Sequence, residues 1–441
     1  MNNGGPAGFG TRTPLADALE ALADTCVPHD RTATVPVADA DARVLAAPVT
    51  AARAIPHYER ATTDGWAVRA ADTTDAAEGS PIRLEPAEDD VATGTAVRVH
   101  AGSAIPEGAD AVLGIESVDR RMEGLAVYDA VGAGENVDPV GAEVPAGEVL
   151  LEPGRRLVPA DLTRCRATGV TSVEVRERPR VAVLPTGEAL VAGEDEPAPG
   201  EQVETNGLLV SQYCERWGGD ATYRDVVPDD VDDLVAALER DADHDLLVTT
   251  GGTSVGQRDL VPRAIREAGE MRVHGVDVDP GHPVGIGTIP SLESAADPLR
   301  DTPVVTLPGA PLSCLINAVQ CVRPAVGWLV GAPLPDHPTT SARLARALPS
   351  EVGTRSFARV QFVGSDGSAH SGDEARERAG DKAHDLADDA AQGLAGNADN
   401  GLAGNAADGL AGNAADDLPR VEPVRTTDGV LSSVAGADGW V

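Results

Sequence analysis

Three short apolar runs, each passing straight into a loop of small residues, constrain this chain more than any other feature. Arg180-Val-Ala-Val-Leu-Pro185 meets Thr186-Gly187-Glu188. Asp245-Leu-Leu-Val-Thr-Thr250 meets Gly251-Gly252-Thr253-Ser254-Val255-Gly256. Pro303-Val-Val-Thr-Leu307 meets Pro308-Gly309-Ala310-Pro311. Such runs read as parallel strands, and parallel strands deliver their following loops to one edge of a sheet, the usual ligand edge of an open α/β domain.

The pattern around them alternates strand and helix. Asn206 reads as a cap for a helix carrying Leu208, Leu209, Tyr213 and Trp217, ended by Gly218-Gly219. Asp229 or Asp230 caps the next, with Val231, Leu234 and Leu238 on one face. The Gly251–Gln257 loop leads into a helix through Leu260, Ile265 and Ala268. Met271–Val278 and Pro283–Ile289 read as a hairpin, and a long apolar helix follows Pro311 to about Leu329. This predicts one α/β domain over residues 180–332.

The flanks are β-rich. Thr13 to Val49 reads as a helix and then a strand, with Pro14 at the first helical position after a Thr13 cap and Leu15, Leu19 and Leu22 on one face. Residues 53–142 hold short β-like runs between Gly and Pro turns. Residues 143–179 continue as β, with a helical pattern over Pro159–Ala167. After 333 the β pattern returns, broken by an eight-residue repeat: Gly393–Asn400, Gly401–Asp408, Gly409–Asp416. That period is too short for a solenoid unit and reads as a flexible acidic linker. A calcium-binding β-roll needs aspartates at denser spacing.

Composition narrows the class. The 441 residues are 42% hydrophobic, so the chain is globular, and no run of about 18 apolar residues predicts a membrane span. The Gly-rich, polar start lacks the regions of a signal peptide, which predicts a cytoplasmic protein. The net charge is −36, Lys382 is the one lysine, and acids such as Asp229, Asp230, Asp232 and Asp233 are spread along the chain. Spread-out acidity fits a salty cytosol better than steering towards a cationic partner. No basic stripe exists, which disfavours nucleic acid. Five cysteines without C-x-x-C spacing (Cys26, Cys165, Cys214, Cys314 and Cys321) predict buried free thiols.

The loop residues suggest a phosphate. Gly251 and Gly252 let the backbone approach a ligand, Ser254 adds a hydroxyl, and the following helix offers unpaired N–H groups. A tight turn without ligand accounts for the glycines equally, and the Walker lysine is absent. Asp259 could hold Mg²⁺ beside a phosphate or simply charge a helix end. The Pro308-Gly309-Ala310-Pro311 loop is stiff and places Ser313 at a helix start, where capping alone would explain it. Asp64-Gly65 is accounted for by a turn.

Taken in order, the motifs resemble those of the molybdopterin molybdenumtransferase family, which includes MoeA and the E domain of gephyrin. Asp64-Gly65-Trp66-Ala67-Val68-Arg69 looks like its D-G-Y-A-V-R, and Ala101 to Val112 like T-G-A-x-x-P-x-G-A-D-A-V. Gly134-Glu135-Asn136-Val137 matches G-E-N-V, and Thr186-Gly187-Glu188 matches T-G-D. Gly251 to Gly256 with Asp259 matches G-G-V-S-V-G-x-x-D. Pro280-Gly281-His282-Pro283 matches P-G-K-P, and Leu307 to Ser313 matches L-P-G-N-P-V-S.

The resemblance implies a multi-domain α/β plus β-rich protein of divergent, haloarchaeal type. An elongated domain would cover 13–52 and 143–179, and an inserted β-rich domain 53–142. A MogA-like α/β domain of mostly parallel sheet would cover 180–332. A C-terminal β-barrel would cover 333–441, with the repeat insertion at about 370–418. It implies a homodimer that handles small-molecule substrates and meets other molybdenum-cofactor proteins, without membrane or nucleic acid. The implied reaction inserts molybdate or tungstate into adenylylated molybdopterin and releases AMP, with Mg²⁺. The implied site has Asp64, Asp259 and Glu188 as catalytic candidates, with Asp259 and Asp64 at the metal. Gly251, Gly252, Thr253, Ser254, Gly256, Pro308, Gly309, Ser313 and His282 would bind the pterin and oxyanion, joined by Arg355 and Arg359.

Departures from the pattern are specific. Where the family has K-P-G-K-P, this chain has Asp279-Pro280-Gly281-His282-Pro283, so both lysines are gone. Ala101, Ala189 and Ala310 replace a threonine, an acid and an asparagine, and Thr427-Asp428-Gly429 stands at a G-S-G-like segment. These changes raise the alternative of a paralog that binds molybdopterin or a nucleotide, as carrier, partner subunit or sensor, without transferring metal.

Overall fold

The computed structural model describes residues 12–252, 260–291, 301–339, 341–348, 351–363, 420–423 and 439–440. The chain divides into two compact units, one of residues 30–177 and one of residues 1–29 with 178–441.

In the larger unit the apolar runs become the middle of a six-stranded sheet. Its order is Asp220–Tyr223, Arg180–Pro185, Leu246–Thr250, Thr302–Leu307, Gly285–Ile289, Glu270–His274. The first four strands are parallel, and Gly285–Ile289 runs antiparallel to both of its neighbours. Val181, Val183, Leu246, Val248, Val305 and Leu307 face one layer of helices, and Ala182, Leu184, Leu247 and Val304 face the other. Burial on both faces is why these runs are continuously apolar.

One layer holds the helices Leu15–Ala23, Asn206–Arg216 and the stretch Pro311–Leu329; the other holds Val231–Arg240 and Leu260–Ala268. Pro311–Leu329 is long and apolar enough, by composition, to cross a membrane, but 72% of it is buried in this core. A π-helical turn, Ala318–Val322, interrupts it. All five cysteines are buried and unpaired.

Two helix starts need correction. Thr13 does not cap the first helix: Pro14 holds the cap position, and Thr13 is engaged in a β-bridge with Val276. Thr205 rather than Asn206 is at the cap of the next helix, and Leu208 is half exposed. The buried face there is Gly207, Val210, Cys214 and Trp217. Of the two acids offered for the following helix, Asp230 is the cap, accepting from the Asp232 and Asp233 N–H groups.

The smaller unit has two kinds of core. Val37, Leu45, Leu150, Leu157 and Val175 pack together around the helix Pro159–Ala167 and the pair Thr32–Pro36 with Ser172–Arg176. Separately, a six-stranded sheet orders Ala111–Gly114, Gly65–Val68, Thr95–Val99, Ile82–Ala87, Gly124–Val127, Val118–Arg121, with apolar clusters around Trp66 and Leu125 and around Ala67 and Val97.

Towards the C-terminus, a four-stranded sheet orders Arg343–Leu344, Arg420–Pro423, Arg359–Val363 and Gly439–Trp440. The octapeptide repeat, Lys382 and Thr427–Gly429 lie outside the described residues.

Candidate functional site

The register of the central strands sets three of the predicted loops side by side. Pro185 pairs with Thr250, and Thr250 with Leu307, so all three strands end in one row. The backbone continues the row past the strands: Thr186 N–H donates to Thr250 O at 2.9 Å, and Gly251 N–H donates to Leu307 O at 3.0 Å.

The glycines are explained first by packing. Gly251 and Gly252 have φ of 89° and 62°, a left-handed conformation that L side chains rarely adopt. A Cβ on Gly251 would stand 2.3 Å from Thr186 O, and one on Gly252 would stand 2.6 Å from Val261 Cγ2. A methyl group on Gly309 would lie 3.6 Å from the Gly251 Cα, so the two loops touch. Gly309 is exposed at this edge while Pro308 and Ser313 are buried beneath it. Thr253, Ser254, Gly256 and Asp259 lie outside the described residues.

Side chains that sequence reasoning missed hold these loops. Asn206 Nδ2 donates to Gly309 O at 2.7 Å. Asp229 accepts from the Thr186 hydroxyl at 3.0 Å and from Glu188 N–H at 3.1 Å, which fixes the Thr186–Glu188 turn and leaves the Glu188 side chain exposed. Asn317, fully buried, donates from Nδ2 to Gly281 O at 3.0 Å and to Ser313 O at 2.8 Å. The Pro280-Gly281-His282 loop is therefore tied to the helix that the Pro308-Gly309 loop begins. Asn206 carried a local signal, but it was read as a cap; for Asn317 no local pattern exists.

Beside that loop lies a cleft of 370 Å³ lined by Arg12, Val278, Asp279, His282, Glu351, Thr354 and Ser356. Three chain segments build it. Thr13 N–H donates to Gly275 O and Asp277 N–H to Thr13 O, which fixes Arg12. Val278–Asp279 pairs in parallel with Arg355–Ser356, and Phe357 N–H donates to Asp279 O at 2.7 Å. Burial pushes the His282 imidazole below its ordinary 6.5; Arg12 pushes the same way and Asp279 opposes them. Arg355 is exposed next to the cleft, whereas Arg359 is buried to 2% exposure and is not among the lining residues.

Asp64 belongs to the smaller unit. It precedes the Gly65–Val68 strand, where a Cβ on Gly65 would stand 1.8 Å from Leu113 O, so only glycine fits between these strands. The Asp64 carboxylate accepts from Ala101 N–H at 2.9 Å and lies 3.4 Å from His100 Nδ1. The Ala101 N–H holds this carboxyl below its usual value, helped by His100 and Arg98 against a partial loss of solvent. Among the described residues no three His, Cys, Asp or Glu side chains gather to hold a metal ion.

Comparison with known proteins agrees with this arrangement. Residues 13–169 match the family model described as MoeA N-terminal region (domain I and II), and residues 182–328 match the one described as probable molybdopterin binding domain. The chain is 32% identical over 347 residues to molybdopterin molybdenumtransferase 2 of Mycobacterium tuberculosis, covering 75% of this chain and 83% of the relative. It is 30% identical over 337 residues to molybdopterin molybdenumtransferase of Bacillus subtilis, covering 72% and 76%. Among solved structures, the molybdopterin biosynthesis MoeA protein from Pyrococcus horikosii superposes with a TM-score of 0.71 at 27% identity, covering 98% of this chain and 94% of that one.

Proposed function

The chain belongs to the molybdopterin molybdenumtransferase family, and from that premise we propose that it inserts molybdate or tungstate into adenylylated molybdopterin with release of AMP. It is a transferase of molybdenum cofactor biosynthesis. The observation that carries the finer reading is the single row formed by Pro185, Thr250 and Leu307, from which the glycine loops leave together.

In this reading Gly251, Gly252, Thr253, Ser254 and Gly256 present backbone N–H groups and a hydroxyl to the pterin phosphate. Pro308, Gly309 and Ser313 shape the metal pocket, kept in place by Asn206 and Asn317. Arg355, which is exposed, supplies charge for the oxyanion, whereas Arg359 is buried away from it, and Glu188 remains a catalytic candidate. Mg²⁺ would be held by Asp259 and Asp64 with substrate oxygens, since such an ion keeps few protein ligands. Among the described residues no three His, Cys, Asp or Glu side chains form a cage for it.

Four regions belong to the proposal. The separate cores of the smaller unit support an inserted domain (53–142) and an elongated one (13–52, 143–179) short of its first residues, since the helix Leu15–Ala23 packs in the α/β core. Residues 180–332 make the α/β domain, and the four-stranded sheet is the described part of a C-terminal domain that begins at 333. The working form is a cytoplasmic homodimer in which the inserted domain of one subunit faces the α/β domain of the other. Its charge of −36 marks adaptation to high salt.

One assay tests the reaction. The protein is purified in high salt, supplied with adenylylated molybdopterin, Mg²⁺ and molybdate, and AMP release is followed. Molybdate-dependent release is expected. Tight pterin binding without AMP would instead support a carrier or sensor, the reading favoured by Asp279 and His282 at the family's lysine positions.

A further inference from the structure

One buried side chain joins two of the loops at the site. Asn317 is fully buried, and its Nδ2 donates to Gly281 O at 3.0 Å and to Ser313 O at 2.8 Å. The first bond crosses to the Asp279–Pro283 loop. The second stays within the helix Pro311–Asn317, which the Pro308-Gly309 loop begins. The approach is close: a Cβ on Gly281 would stand 2.2 Å from Asn317 Nδ2 and 3.1 Å from Ser313 Cβ. With a φ of 114°, glycine is what leaves room for the amide.

Stability alone does not account for this residue. Asn317 Oδ1 is buried and accepts no hydrogen bond among the described residues, so half of the amide is desolvated and unpaired. A π-helical turn, Ala318–Val322, begins at the next residue, and such turns are uncommon and recur at functional sites. An unpaired buried acceptor beside a widened turn breaks two local rules at one place, and such departures concentrate where function sets the geometry.

The loop that Asn317 holds carries side chains to the cleft. Asp279 and His282 flank Gly281 and both line it. Asp279 O accepts from Phe357 N–H at 2.7 Å, and His282 O accepts from Val276 N–H at 3.0 Å and Val284 N–H at 2.9 Å. Between these anchors, Gly281 O takes the Asn317 amide. We propose that Asn317 is a positioning residue for the oxyanion: without touching substrate, it fixes Gly281 against the Ser313 helix and so sets His282 relative to the Pro308-Gly309 loop. The inference rests on the transferase reading above, which brings both loops to the oxyanion. A loop released from this bond has to be ordered by the ligand itself, which weakens binding.

The test compares Asn317→Ser with Asn317→Ala in the full chain, in high salt. A serine hydroxyl within a helix reaches the carbonyl four residues back, here Ser313 O, but is too short to reach Gly281 O. Denaturant melts should therefore place Asn317→Ser nearer the wild type than Asn317→Ala, while both lose the bridge between loops. AMP release at varied molybdate is expected to show KM for molybdate raised at least fivefold in both, with kcat within twofold of the wild type. Partial unfolding would remove active molecules, which lowers kcat and leaves KM unchanged, so KM reads positioning. The proposal is overturned if KM stays at the wild-type value in both, or if it rises in Asn317→Ala alone, in step with lost stability. Should Asn317→Ala fail to fold, the KM of Asn317→Ser decides by the same criterion. Tungstate binding, followed by calorimetry without pterin, separates this inference from the transferase reading. A wild type that binds tungstate and releases no AMP removes the transferase reading; a fivefold loss of tungstate affinity in both variants then upholds the role of Asn317, and unchanged affinity overturns it. AMP release with a KM indifferent to Asn317 removes this inference and keeps the transferase. A wild type that neither binds tungstate nor releases AMP overturns both.

Discussion

At the residue scale, buried polar side chains spend their hydrogen bonds on holding loops. Asn317 is the clearest case, since one amide bridges Gly281 O and Ser313 O in a fully buried setting. Asn317→Ala should lose about 2–3 kcal/mol of stability in denaturant melts, because two buried carbonyls lose their donor and a small cavity opens. Asp241 gives a pH handle. It is 1% exposed, and burial alone would raise its carboxyl, but Arg240 and Arg224 at 2.6 and 2.5 Å outweigh burial and hold it below 3.8. A carboxyl depressed in the folded state adds stability above the unfolded value of 3.8, and that stability is lost as pH falls from there through the folded value. Asp241→Asn should therefore cost about 1–3 kcal/mol at pH 7 and flatten the acid limb of the stability profile. Identical acid limbs for the two proteins would refute this.

At the element scale, the strands were legible and the clamps were not. Uniformly apolar runs ending in glycine or proline loops announce strands buried on both faces, and the loops did arrive at one edge. Asn206 was misread because an amide that caps a helix and one that clamps a neighbouring loop look alike in sequence. The apolar character of Leu208 suggests the inner face, but two residues turn a helix by about 200°, so with Val210 and Cys214 buried it lies on the far side and is half exposed. The cleft was beyond reach, because Arg12 and Glu351 meet only through tertiary pairing of distant segments. The touching loops make their own prediction. Gly251→Ala combines a φ of 89° with a Cβ 2.3 Å from a backbone oxygen, so it should destabilise the protein by about 2 kcal/mol or more and impair the loop's ligand binding. Asp230→Ala, which removes only a helix cap, should cost about 1 kcal/mol and leave binding intact. Equal effects of both changes on binding would argue that the glycine loop has no special role.

At the scale of the whole molecule, the charge of −36 competes with cores built from valine, alanine and leucine, with only 2% aromatic residues. Such cores bury less apolar area per side chain than aromatic ones, so self-repulsion weighs more heavily on stability. Two effects of salt can offset it, and they differ in concentration dependence. Screening is nearly complete once the Debye length falls to about 3 Å, near 1 M. Preferential exclusion of salt from the surface keeps strengthening burial beyond that point. If repulsion is the main burden, the melting temperature should climb steeply in KCl up to about 1 M and then level. A rise that continues unchanged through several molar would assign the salt requirement to exclusion and hydration instead. The same titration bears on the site. An oxyanion or phosphate approaching so acidic a surface is repelled at low salt, so its apparent affinity should improve along with the melting temperature. A neutral pterin should gain only what folding gains. Different salt slopes for molybdate and for 6-hydroxymethylpterin, measured where the protein is fully folded, would show that the two ligands meet the protein's field as an ion and as a neutral ring.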